Sequence, residues 1–161
     1  MAARRRGTTG HSCYFITASS FQKQNLFQSD RMGRLFVEVL LYYRAQEKYL
    51  LHEFVVMPNH FHLLTTPLES LEKSLQLIKG GFSYRARKEL RFIGEIWQPS
   101  YHDRRVRDLE EYRAFCEYIH RNPVKSRFVG NPADYPYSSA HLGFPLDGVP
   151  QRLKPVRLLA V

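Results

Sequence analysis

Residues 54–66 read FVVMPNHFHLLTT. An apolar run stops at Pro58 and Asn59 and resumes at once with two histidines around a phenylalanine. Proline and asparagine both favour turns, so the stretch predicts a hairpin, with one strand over residues 49–57 and another over residues 60–66. Side chains alternate along a strand. His60 and His62 therefore share one face, while Phe61 and Leu63 share the other. The Phe61 face suits packing under helices. The other face carries two imidazoles side by side, close enough to share one metal ion, although such a pair alone is unspecific.

Working outward from the hairpin, residues 12–18 (SCYFITA) are rich in β-branched and aromatic side chains and predict a strand. Residues 21–29 read as polar and irregular. Ser29 or Asp30 can cap a helix running to about Lys48, with Leu35, Phe36, Val39, Leu40 and Tyr43 as its apolar stripe. Residues 70–91 predict a second helix with Leu71, Leu75 and Ile78 on one face. Gly80 and Gly81 mark either a kink or a close approach by another backbone. A fourth strand is expected within residues 96–106. Asp108 and Glu111 fit a capping box that opens a third helix, expected to end near Asn122 because Pro123 disfavours helical geometry before it.

The order strand, helix, strand, strand, helix, strand is the ferredoxin-like β-α-β-β-α-β pattern of the α+β class. It predicts an antiparallel sheet with two helices on one face. The other face is left for a ligand or for the added C-terminal helix. The expected organisation is a basic N-terminal tail over residues 1–11, one domain over residues 12–130, and an irregular extension over residues 131–161.

A chain of 161 residues suits one domain with a real core. Twenty-four Lys and Arg stand against fifteen Asp and Glu, a net charge of +9, which points to a polyanionic partner. Ten Tyr and eleven Phe supply rings on which unpaired bases can stack. No apolar run approaches the ~20 residues a membrane span needs, and no signal-peptide pattern follows Arg4, Arg5 and Arg6, so a cytoplasmic location is expected. Cys13 and Cys116 match neither a disulfide framework nor a zinc spacing and read as two buried thiols.

At ~100° per residue, Leu109, Tyr112, Cys116 and Ile119 form the core stripe of the third helix. Tyr118 lies off that stripe, and Asn122, one turn on, shares its flank. Two readings stay open: a surface tyrosine followed by a helix terminator, or a hydroxyl and an amide approaching one phosphate. His120 points elsewhere and reads as surface.

MPNHFHLL, then YIHRNPVKSRFV, then DYPYSSAH, together with FITAS, LFQSDR and the set Trp97, Tyr101, Asp103 and Arg104, resemble the REP-associated tyrosine transposases. These belong to the single-tyrosine HUH superfamily, named for its His-hydrophobic-His motif. The resemblance covers roughly residues 12–141. It implies metal-dependent cleavage and rejoining of single-stranded DNA at hairpin, palindromic sites through a 5′-phosphotyrosine. Carried over by position, Tyr118 is the nucleophile, and His60, His62 and Asn122 are ligands of a divalent ion, Mg²⁺ or Mn²⁺. His102 and Asp103 are candidates for supporting the ligands or moving a proton. Phosphate contacts are expected from Arg85, Arg104, Arg105, Arg121 and Lys125, within a basic cluster that includes Arg87, Lys88, Arg91, Arg107 and Arg127. A monomer is expected, with a dimer that swaps the tyrosine helix as the alternative. Two rival functions stand beside this one. The first is a catalytically silent binder of single-stranded or hairpin nucleic acid. The second is a hydrolase that uses water, with Tyr118 a bystander.

Overall fold

The computed structural model describes residues 12–154. Four strands, β1 (Tyr14–Ser19), β2 (Tyr49–Met57), β3 (His60–Pro67) and β4 (His102–Arg105), form one sheet in the order β2-β3-β1-β4. Every pairing is antiparallel. With α1 (Asp30–Ala45) between β1 and β2, and α2 (Leu71–Leu90) between β3 and β4, this is the ferredoxin-like α+β arrangement expected above. A third long helix, α3 (Leu109–Lys125), follows β4.

Each long helix starts where a side chain can satisfy an orphan backbone donor. Ser29 accepts from the Met32 amide, Ser70 from Lys73, and Asp108 from Glu111 at 2.7 Å. The alternation in the strands then makes two cores. Ile16, Phe54, Phe61 and Leu63 pack against Phe36 and Leu40 of α1 and Ile78 and Phe82 of α2, all fully buried. On the opposite face, Val55, Leu64 and Val106 pack with Tyr112 and Ile119 of α3. Each fully buried large apolar side chain contributes about 1.5–3 kcal/mol, so neither face has a cheap alternative partner.

Several local expectations change in three dimensions. The helix α3 does not stop at Asn122 but continues through Pro123 to Lys125. Proline sits there in the last turn, where it forfeits one backbone donor, and the turn still closes through the Ser126 amide on the Asn122 carbonyl at 3.0 Å. The fourth strand shrinks to four residues, because the preceding segment meets the sheet only where Trp97 bridges Ser20. Its indole N–H is instead anchored on the Lys79 carbonyl and the Ser83 hydroxyl, each at 3.0 Å. The segment between β1 and α1 holds two short 3-10 turns and buries Leu26 and Phe27. The helix α2 is continuous through both glycines. Gly81 admits the Tyr43 side chain rather than a backbone: a Cβ there would stand 2.7 Å from the phenolic oxygen.

One irregularity positions polar groups. The β2–β3 register shifts between Leu51 and Glu53, so His52 is an extra, unpaired residue. His52 and Glu53 both reach the α3 side, where they bond Thr66 and His120 respectively. Beyond α3 the chain runs back along β2, the exposed edge of the sheet. Val56 donates to the Tyr137 carbonyl at 2.8 Å, and Ser139 donates to the Phe54 carbonyl at 2.9 Å. Asp147 accepts from the Leu51 amide and holds Arg44 through two bonds. Covering the edge in this way removes a template for unwanted strand pairing. Cys13 is buried and Cys116 half-buried, and burial pushes their thiols up to about 12 and about 11. No helix among the described residues is long and apolar enough to cross a membrane. The basic tail expected over residues 1–11 lies outside the described residues.

Candidate active site between β3 and α3

His60 and His62 point from β3 toward α3, with ring centroids 4.9 Å apart. Both rings are held from behind. Asn59 Oδ1 accepts from His60 Nδ1 at 2.7 Å, which leaves Nε2 of His60 with its lone pair. Thr17 Oγ1 lies 2.8 Å from His62 Nδ1, and the backbone of Ile16 accepts from the same ring. His62 Nε2 is buried and has no hydrogen-bond partner among the described residues. Burial, and then the neighbouring His60, drive the His62 pKa down to about 3. His60 is lowered by burial and by the Lys23 ammonium. Both rings are thus neutral at pH 7 and keep lone pairs for a cation.

Tyr118 arrives from α3 onto the same spot. Its ring meets His62 edge-on with centroids 5.3 Å apart. Phe15 of β1 forms the floor, stacked on His62 at 5.2 Å and edge-on to Tyr118 at 6.0 Å. Tyr118 is 48% exposed, so its hydroxyl is reachable from solvent. Asn122, one helical turn on, is half-buried on the same flank. An open cavity of about 840 Å³ is lined by His60, Tyr118 and Asn122 with Glu117, Arg121 and Lys125.

The remaining sequence candidates divide by face, because residues paired across strands share one. Thr17 pairs with His62 on one side and His102 on the other, so His102 lies in the same row as the histidine pair. Asp103 pairs with Ile16 and therefore belongs to the α1–α2 face. Arg104 is on the α3 side but is held by Glu111 at 2.8 Å and lies over the Phe115 ring. Arg105 pairs with Tyr14, on the α1–α2 side. Arg85 belongs to α2, beyond the sheet from Tyr118, and is gripped by Glu38 and Glu89. Of the five basic candidates, Arg121 and Lys125 reach the cavity.

His120 is not a surface residue. It is half-buried and bonds Glu53 at 2.8 Å, which raises its pKa. Thr17, Phe15 and Lys23 escaped the sequence reading. The alternation in FITAS could have placed Phe15 and Thr17 on one face, but not under the histidines. Lys23 sits in a left-handed conformation (φ 53°) beside a second such residue, Gln22 (φ 50°), which no local pattern signals.

A ferredoxin-like sheet with a His-hydrophobic-His pair under a tyrosine-bearing helix defines the HUH class of single-tyrosine DNA-processing enzymes. More narrowly, the chain belongs to the IS200-like transposase family, whose profile matches residues 11–122. It is 30% identical over 94 residues to the REP-associated tyrosine transposase of Escherichia coli K12, covering 56% of this chain and 54% of that protein. It is 26% identical over 156 residues to a putative REP-associated tyrosine transposase of Haemophilus influenzae Rd, covering 88% and 86%. The chain thus spans about half the length of the first relative and most of the second. A solved REP-associated tyrosine transposase bound to a REP hairpin superposes with a TM-score of 0.72 at 22% identity, covering 99% of this chain and 100% of that one. A putative transposase from Deinococcus radiodurans gives 0.51 at 22% identity, covering 74% and 96%. These structures share the fold, and the relatives bear out the resemblance carried by the motifs.

Proposed function

We propose that this transposase cuts and rejoins single-stranded DNA at hairpin-forming palindromic sites, with Tyr118 as nucleophile and a 5′-phosphotyrosine intermediate. The observation that carries the reading is the packing of Tyr118 against His62, whose Nε2 is buried and without a hydrogen-bond partner among the described residues. An unsatisfied buried polar atom costs about 1–3 kcal/mol, and a group kept at that cost, beside a second imidazole that lines an open cavity, suits a ligand. Neutral imidazoles oriented through Nδ1, with an amide one turn from the phenol, fit a divalent ion such as Mg²⁺ or Mn²⁺, held by His60, His62 and Asn122. Bound there, the ion supplies Lewis-acid stabilisation of charge on the phosphate.

The phenol oxygen of Tyr118 forms a bond to phosphorus while the bond to the 3′ oxygen breaks. The phenol proton passes to solvent, and the departing oxygen takes up a proton as a free 3′-OH. The ester energy is conserved in the phosphotyrosine, so the reverse attack rejoins a strand without another energy source. Arg121 and Lys125 offer cations to backbone phosphates beside the nucleophile. The packing of Tyr118 on His62 of the same chain is the arrangement that a monomer acting in cis requires.

The test is a denaturing gel with single-stranded hairpin DNA and Mn²⁺ or Mg²⁺. The expected result is a denaturation-resistant protein–DNA adduct that Tyr118→Phe does not form and that chelation with EDTA abolishes. Cleavage persisting in Tyr118→Phe favours a hydrolase. Tight binding without cleavage by the unmodified chain favours a silent binder.

A further inference from the structure

Three consecutive residues of α3 divide the work of docking it. Ile119 is fully buried against the sheet and central to the contact. Tyr118 and His120 lie about 100° to either side of it. Tyr118 leans over His62 of β3, and His120 leans over β2 to bond Glu53. Glu53 reaches His120 because of the bulge at His52, which re-aims the strand at that point. Its carboxylate is largely withdrawn from water, with its side chain 17% exposed. The same oxygen that meets His120 also accepts from the Ser139 hydroxyl. Ser139 is in turn fixed to β2, since its hydroxyl accepts from the Phe54 amide at 2.9 Å and its own amide donates to the Phe54 carbonyl.

Apolar packing resists lifting α3 from the sheet, but it is non-directional and tolerates small rotations about the helix axis. A hydrogen bond is directional. We propose that Glu53, braced by Ser139, is a positioning residue for the nucleophile: through His120 it sets the roll of α3 and so the placement of the Tyr118 phenol over the histidine pair. The clamp stands on the flank opposite Tyr118, where it acts as a counter-brace. Side-chain ends lie about 5–6 Å from a helix axis, so a roll of about 10° moves the phenol by about 1 Å. A misplacement of that size lowers a rate by about 100-fold. The inference rests on Tyr118 being the nucleophile. It further assigns the C-terminal extension a role, since residue 139 completes the brace.

The experiment uses the 161-residue chain carrying Glu53→Leu, His120→Leu, the double variant, and the bond-retaining Glu53→Gln and His120→Gln. The rate of adduct formation at saturating hairpin DNA, the DNA dissociation constant, and the ring–ring nuclear Overhauser contact between Tyr118 and His62 are each measured. Expected is a loss of about 100-fold in saturated rate for either leucine variant, with DNA affinity unchanged and the Tyr118–His62 contact weakened. The double variant is no slower than either single one, because both break one interaction. The glutamine variants recover most of the rate. Folded leucine variants with unchanged rate and ring contact overturn the proposal, as does a loss of DNA affinity that accounts for the whole defect. If the leucine variants do not fold, the glutamine variants and Ser139→Ala decide through the ring contact alone. Absence of adduct from the unmodified chain counts against Tyr118 as nucleophile, while the ring contact still reports on the clamp.

Discussion

At the scale of one residue, the proposed function makes His62 a metal ligand, and Thr17 stands behind it. The Thr17 hydroxyl on Nδ1 holds the His62 ring, which Tyr118 meets edge-on. Such partners behind a metal ligand are typically worth 10–100-fold in metal affinity. Thr17→Val keeps the shape and removes the bond, and is expected to weaken Mn²⁺ binding by about 10–100-fold with the fold intact, as read by calorimetric titration. Arg121 makes a different prediction. It lines the cavity and its guanidinium is 3.7 Å from Glu117, with both side chains largely exposed, so the pair contributes little to stability. Arg121→Ala is expected to weaken hairpin binding without regard to sequence and to lower the salt slope by about 1, measured by anisotropy across a salt series.

Among the elements, the two glycines of α2 are neighbours with opposite duties. Gly80 is exposed and a Cβ there meets nothing within 4 Å, whereas at Gly81 it meets Tyr43 of α1 at 2.7 Å. Gly80→Ala is expected to stabilise the chain by about 1 kcal/mol, since alanine suits a helix interior better. Gly81→Leu forces α1 and α2 apart and is expected to cost about 1–3 kcal/mol. Urea denaturation of both variants checks the contrast. Two adjacent glycines in a helical stretch were legible as a packing or bending signal. Which one faced a partner depended on how α1 lay across α2, and the tyrosine ring, not a backbone, turned out to be the close neighbour.

For the whole molecule, protonation couples folding to pH. His52, His60 and His62 all have folded pKa values lowered by burial. Each favours the folded state fully above its unfolded pKa of about 6.5, and that contribution is lost as pH falls from there toward the folded value. His120 has the opposite sign. Raised by Glu53, it contributes fully below about 6.5 and loses that contribution as pH rises through its folded pKa. Below about pH 6.5 only the losses remain. Stability to urea is therefore expected to fall between pH 6.5 and 5, by up to about 1.4 kcal/mol per pH unit for each histidine that the unfolded chain protonates and the folded chain does not. A flat profile over that interval contradicts the burial of these rings.

What the sequence determined by itself was everything governed by a short period. The two-residue repeat of a strand put His60 and His62 together and sent Phe61 and Leu63 under the helices. The 3.6-residue repeat put Tyr118 and Asn122 on one flank, and capping residues placed the helix starts within a residue or so. The end of α3 was misjudged, because a proline in a last turn costs less than one in the middle. What only the tertiary structure decided was the meeting of distant segments: Tyr118 over His62, Thr17 behind it, and His120 on a glutamate swung round by a bulge. Those contacts depend on how far a helix rolls and which strands are neighbours. Such quantities are set by the packing of two whole faces, and no local pattern of residue types encodes them.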